Sequence, residues 1–165
     1  MPFTPFHFGP GILLGLLLLK KLDFPTFVAA NVMIDWRAAL VFLGFWPPPR
    51  HGWVHTYLGA TLMAILLGAV MIYARPLIDE ELREMKIVQE ISKKNIFLAA
   101  FSGAFLHVTI DAFHHPYMQP FMPFDFNPLL GLFSTLELRA ALFFCLLVSL
   151  PVYVFHVKDW IDISP

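Results

Sequence analysis

Four stretches of the sequence stay apolar for about the 20 residues a helix needs to cross the hydrocarbon core of a bilayer, and a shorter fifth stretch precedes them. The long ones run from Phe24 to Trp46, Trp53 to Ala74, Asn95 to Phe113 and Ala140 to His156; the short one runs from Phe8 to Leu19. Because Phe8–Leu19 ends at Lys20-Lys21, it spans only by including Phe3 to His7 or by letting those lysines snorkel. With 58% hydrophobic and 14% charged residues, the chain is more apolar than a soluble domain, whose share is roughly 45–50%. The excess needs lipid. The fold class expected is all-α: a polytopic membrane helical bundle of about five transmembrane helices, forming one integral membrane domain over residues 1–165.

Two connectors differ in composition from the spans. Across residues 77–94, Asp79, Glu80, Glu81, Arg83, Glu84, Lys86, Lys93 and Lys94 alternate with Leu82, Met85, Ile87, Val88 and Ile91, the pattern of an amphipathic helix lying on a membrane surface. Residues 115–137 begin with prolines among phenylalanines and methionines, which suits an irregular interfacial loop, a candidate lid, better than a helix. No basic segment or small-residue cleavage site marks the first apolar run as a removable signal. Trp36, Trp46, Trp53 and Trp160 fit an interface belt or packing positions.

Five spans place Lys20, Lys21, Arg75, Arg83, Lys86, Lys93, Lys94 and Lys158 on one side, with Arg50 and Arg139 near the other. The positive-inside rule makes the crowded side cytoplasmic, with the N-terminus outside and the C-terminus inside. On this topology six of the seven histidines gather at the outer face. His7 starts span one, His51 and His55 start span three, and His107, His114 and His115 lie at the end of span four with Asp111. His156 alone sits at the inner end, where a helix C-terminus favours a cationic side chain.

In His107-Val-Thr-Ile-Asp111-Ala-Phe-His114-His115 the i, i+4 and i, i+3 offsets bring His107, Asp111 and the later histidines to one helical face. His51 and His55 repeat the i, i+4 spacing, as do Asn31 and Asp35. Asn31 reads better as a helix–helix hydrogen-bonding residue than as a ligand. A lone carboxylate in hydrocarbon costs at least about 2.5–3.5 kcal/mol, so Asp35 and Asp111 need a cation. Arg37 or Arg50 could supply it for Asp35, but the whole constellation fits a divalent metal, zinc foremost, held by neutral imidazole and carboxylate. The single cysteine, Cys145, excludes a disulfide framework and a cysteine-built zinc site. A net charge of −1 offers no concentrated basic surface for nucleic acid.

The His7-Phe-Gly9 start, Asp35 in Asn-Val-Met-Ile-Asp-Trp-Arg, Arg50-His51-Gly-Trp-Val-His55-Thr56 and the His107-x-x-x-Asp111 pair resemble the YdjM-like membrane-bound metal-dependent hydrolases of bacteria and archaea. More distantly, the motif order is similar to that of the all-helical zinc-dependent phospholipase C and P1 nuclease fold. The resemblance implies a multi-pass plasma-membrane protein and metal-assisted hydrolysis. In that reading His7, Asp35, His55, His107, Asp111 and His115 are metal ligands. His51 and His114 orient a ligand or supply the general acid, and Arg50 or Arg139 holds a phosphate. A site opening at the outer interface meets membrane lipids first, so the expected substrate is a lipid or lipid-linked phosphoester. Two other classes compete: a scaffold or partner-binding protein stapled by a structural metal, and a metal or proton transporter, which would need polar residues continuing to the inner end. A metalloprotease lacks support, since His-Glu-x-x-His does not occur.

Overall fold

The computed structural model describes residues 5–47, 52–90 and 92–163, with side chains from Phe6 to Lys158 within those ranges. The helices are α1 (Pro5–Leu17), α2 (Phe24–Met33), α3 (Trp36–Phe42), α4 (Tyr57–Ala74), α5 (Asp79–Glu84), α6 (Lys93–Ala112) and α7 (Thr135–Ile163), with 3-10 turns at Trp53–His55 and Arg75–Ile78. Among the described residues there is no strand. Three helical runs are long and apolar enough to cross a membrane: Tyr57–Glu84, Lys93–Ala112 and Thr135–Lys158. α1 and α2 are apolar but shorter.

Side-chain caps set the starts of these helices. Asp23, Thr56 and Ser92 accept the otherwise orphaned amides of Thr26, Gly59 and Asn95. α7 opens with a reciprocal capping box: the Glu137 amide donates to Ser134 Oγ and the Ser134 amide to Glu137 Oε2.

α6 is the most buried of the three long runs and α7 the least. α6 packs between α2 and α4, while α1 bridges α2 and α7. Small residues let the backbones approach, which in lipid replaces the hydrophobic drive that water would supply. Ala30, Ala60, Ala64, Ala99, Ala100 and Ala104 are all fully buried. At Gly103 a Cβ would stand 2.7 Å from Ala30 Cβ and 2.8 Å from the Phe27 carbonyl oxygen, closer than real contacts allow. Gly103→Val should therefore cost at least about 1–3 kcal/mol by overpacking. Unfolding in a mixed-micelle titration checks this effect; an unchanged midpoint would contradict the close packing.

The ends of the bundle differ in chemistry. At the lysine-rich end, the Gln89 side chain accepts from the Phe24 amide and donates to the Leu19 and Leu22 carbonyls, and Asn95 Nδ2 donates to the Lys21 carbonyl. Beside them Arg75 Nε donates to Asp23 Oδ1 at 2.6 Å, and the same guanidinium pairs with Asp79. His156 meets the Lys86 carbonyl there at 3.0 Å, far from the other histidines. Arg75, counted from sequence among the basic residues of this face, is instead a buried ion-pair partner.

Three sequence expectations need correction. The stretch Phe24–Trp46 is not one helix: it breaks at Ile34-Asp35, and α3 is only seven residues long. No glycine or proline marks the break; it lies where Asp35 is buried. Residues 77–94 are not one amphipathic surface helix either. α5 stops after Glu84 in a Schellman motif, with the Ile87 amide bonded to the Leu82 carbonyl, the Lys86 amide to that of Arg83, and Lys86 at φ 58°. Leu82 and Ile87 then pack on Leu16 rather than on lipid. Finally, α7 extends beyond Ala140–His156 at both ends.

The loop between α6 and α7 is irregular, as its prolines require, yet fastened. Asn127 Nδ2 and the Gly131 amide donate to the Ala112 and Phe113 carbonyls, and the Tyr57 amide donates to the Pro120 carbonyl. Met118 is buried against Ile34 and Ala112, and Phe121, Phe124 and Phe126 stay exposed.

Candidate metal centre

Four separate segments supply the side chains that meet at the other end of the bundle. His7 lies in the first turn of α1, Asp35 at the break between α2 and α3, and His55 in the 3-10 turn ahead of α4. His107 and Asp111 lie one turn apart near the end of α6, and His114 and His115 just past it. The helix ends create this convergence: chain direction reverses there, so residues far apart in sequence share one level. His7, His55, His107, Asp35 and Asp111 are all buried, none more than 6% exposed.

The imidazole Nε2 atoms face the two carboxylates. His55 Nε2 lies 3.2 Å from Asp35 Oδ1 and 3.9 Å from Asp111 Oδ2, and His107 Nε2 lies 3.6 and 3.5 Å from the same two oxygens. His7 Nε2 is 3.3 Å and His115 Nε2 3.8 Å from Asp111 Oδ1. The His7 ring stacks on His107 with centroids 4.1 Å apart.

His107 shows how the set is oriented. Its Nδ1 donates to the Asn31 carbonyl at 2.7 Å; a carbonyl only accepts, so in the neutral ring the Nε2 lone pair points at the carboxylates. That carbonyl is available because the helix breaks just beyond it, and the Asp35 amide bonds to Val32 instead of Asn31. The Asn31 side chain donates to the Phe27 carbonyl. Asn31 thus acts through its backbone, a role with no side-chain signal in the sequence.

Several observations fit a divalent ion. Around a tetrahedral ion with ligand bonds of about 2.0–2.1 Å, neighbouring ligand atoms stand about 3.3 Å apart; the imidazole–carboxylate distances above run from 3.2 to 3.9 Å, the shortest, His55 Nε2 to Asp35 Oδ1, being also a hydrogen bond. His107 Nε2 and both ring nitrogens of His7 and His114 are buried without a hydrogen-bond partner, which is costly for polar atoms. Ligand atoms of Asp35, His55, His107 and Asp111 lie within 4.8 Å of one another, as do those of Asp111, His114 and His115. Burial pushes the pKa of His114 below its ordinary value, against the opposing pull of the Asp111 charge, and so keeps the ring in the neutral form a ligand needs.

All six expected ligands, His7, Asp35, His55, His107, Asp111 and His115, therefore come together. His114 lies beside them, its ring 3.8 Å from that of His115. His51 and Arg50, expected to assist catalysis, lie outside the described residues, as does the side chain of Trp160. Arg139 is partly buried near the start of α7, next to Leu138, which packs on Ile110. Sequence reading offered Arg37 only as a cation for Asp35. Its guanidinium fills the space where a Cβ of Gly52 would sit, three residues before His55, and its Nε is buried without a hydrogen-bond partner. Comparison of the chain with family models, curated proteins and solved structures gives no match.

Proposed function

We propose that this chain is a multi-pass membrane hydrolase of the YdjM-like kind, using a divalent metal, zinc foremost, to cleave a phosphoester in a lipid or lipid-linked substrate. The observation that carries this reading is the burial of two carboxylates among inward-facing imidazoles at one end of an apolar bundle. When bound, the ion supplies Lewis acidity and lowers the pKa of water at the site to roughly 7. Asp35, His55, His107 and Asp111 would hold it, with His7 and His115 beside the other oxygen of Asp111. The Asn31 carbonyl keeps His107 in its ligating tautomer. His114, neutral in this site, would orient a ligand, and Arg37 would take a non-bridging phosphate oxygen.

Depth favours a lipid. From Asn95, bonded at the lysine-rich end, to Asp111 is 16 residues of α6, or about 24 Å at 1.5 Å each, against a hydrocarbon core of about 30 Å. With Lys20, Lys21, Lys93 and Lys94 at the cytoplasmic headgroups and α1 and α2 completing five spans, the centre lies just inside the outer leaflet, near the ester region of a lipid. Exposed Trp36, Trp46 and Trp53 at the same end suit that interface.

Elemental analysis of detergent-purified protein beside a His107→Ala/Asp111→Ala variant, followed by a screen of phosphodiesters and phospholipids, tests the proposal. Bound metal and hydrolysis are expected in the first protein, with metal lost and turnover reduced at least about 1,000-fold in the second. Equal metal content in both would end the metal reading; metal without cleavage of any ester would transfer the site to a structural role.

A further inference from the structure

At the lysine-rich end, a cavity of about 260 Å³ opens between the end of α4 and the start of α6. Ile72 and Ile96 form its floor, and Arg75, Asp79 and Lys93 stand at its rim. Ile72 precedes Arg75 by three residues and Ile96 follows Lys93 by three, so the floor lies about one helical turn nearer the middle of the bundle than the rim. Polar groups outside and apolar groups within repeat the layering of a lipid.

The open hydrogen-bonding groups of the rim carry both signs. Gln89 and Ser92, also in the wall, are already engaged, Gln89 with Phe24, Leu19 and Leu22 and Ser92 with Asn95. Arg75 is different. It is only 4% exposed, and its hydrogen bonds run from Nε to Asp23 and from Nη1 to Asp79, so among the described residues Nη2 has no acceptor. A buried amino group in a cavity wall calls for an acceptor inside the cavity. The amides of Lys93 and Lys94, first in α6, have no helical carbonyl one turn back, and Ser92 Oγ is taken by the Asn95 amide. Asp79 accepts from Arg75 through Oδ1 while its side chain stays 50% exposed, which leaves Oδ2 open to a donor. Two carboxylates, Asp23 and Asp79, balance the two cations Arg75 and Lys93. A ligand with net charge would upset that balance, whereas one with separated, equal charges keeps it.

We propose that this cavity binds the headgroup of a phosphatidylethanolamine-type lipid. The phosphodiester accepts from Arg75 Nη2, the Lys93 ammonium and the first amides of α6, and the primary ammonium of the lipid donates to Asp79 Oδ2. The volume lies just below the roughly 300–1,000 Å³ of sites that enclose drug-sized molecules, which suits a headgroup with its acyl chains left in the bilayer. The site stands apart from the candidate metal centre and involves neither metal nor hydrolysis.

Titration of full-length, detergent-solubilised protein with dioctanoyl phosphatidylethanolamine, phosphatidylcholine and phosphatidylglycerol, followed by native mass spectrometry, tests the proposal. One phosphatidylethanolamine should bind, at least about 10-fold more tightly than either other lipid, the worth of one charge-assisted hydrogen bond. Phosphatidylcholine has no ammonium hydrogen to give Asp79, and phosphatidylglycerol carries a net charge. Asp79→Asn keeps an oxygen for Arg75 and should lower phosphatidylethanolamine affinity to that of phosphatidylcholine. Lys93→Gln, on the exposed rim, should weaken both lipids by the same factor, about 2- to 5-fold. Equal binding of the three lipids, or binding without saturation at one equivalent, overturns the site. Tighter binding of phosphatidylglycerol, or a preference for phosphatidylethanolamine that survives in Asp79→Asn, overturns the ammonium contact. If Asp79→Asn does not fold, the wild-type preference and Lys93→Gln decide between these outcomes.

Discussion

Chelating the metal from the detergent-purified protein is expected to lower its unfolding midpoint by roughly 8–16 °C. On the metal reading proposed above, the ion would bind the folded chain and not the separated segments, so at a free concentration 1,000 times its dissociation constant it would contribute about 4.1 kcal/mol. A domain of this size loses about 2–4 °C per kcal/mol. The effect is large because the centre is the only polar tie joining the start of α1, the α2–α3 break, the 3-10 turn before α4 and the end of α6 among the interactions described above. Without a cation, Asp111 and Asp35 are buried carboxylates facing each other's imidazoles, and these segments have reason to separate. His107→Ala should start at the lower midpoint and respond little to chelator, whereas His156→Ala, at the opposite end, should behave as wild type. A wild-type protein that holds metal and loses it with no change in midpoint would show that the ion does not tie these segments together.

At the other end, Arg75→Met should destabilise the fold by about 3–5 kcal/mol, the range for removing one partner of a buried ion pair. Asp23 is fully buried and Arg75 only 4% exposed. Asp23 also caps α2 by accepting the Thr26 amide and hydroxyl, so an uncompensated charge there strains the cap as well as the pair. The double change Asp23→Asn/Arg75→Met removes both charges and leaves a capping side chain, and should recover more than half of the loss. Unfolding titrations of the two single variants and the double variant form the cycle that isolates the pair. Additive effects would mean that Arg75 acts through packing alone.

The candidate centre was more legible than the fold around it. His107 and Asp111 share a face because of helical spacing, and the histidines of other segments share their level because each lies at the same kind of helix end. Both facts can be counted along the chain. The break at Ile34-Asp35 could not be counted, because Asn-Val-Met-Ile-Asp-Trp-Arg contains no residue that stops a helix. Burial of Asp35 near His55 and His107 outweighs the local preference to continue. The connector misled for a related reason: alternating charge and hydrophobicity says that one side of a segment is apolar, but not what covers it. Leu82 and Ile87 are covered by Leu16 of α1, and the Schellman turn at Lys86 brings them there.

By itself the sequence determined that this chain is helical, that it carries four long apolar stretches and a short fifth suited to a bilayer, and that six of its seven histidines and two of its aspartates are expected at one end; the structure leaves three runs long enough to cross. Hydrophobicity, helical period and the position of polar groups at helix ends are local properties, readable one segment at a time. Only the tertiary structure decided that the Asn31 carbonyl turns to His107, that Asp35 leaves the helical path, and that the two oxygens of Asp111 face different ligands. Those choices depend on the relative rotation and depth of four packed segments, and no segment encodes its neighbour's rotation.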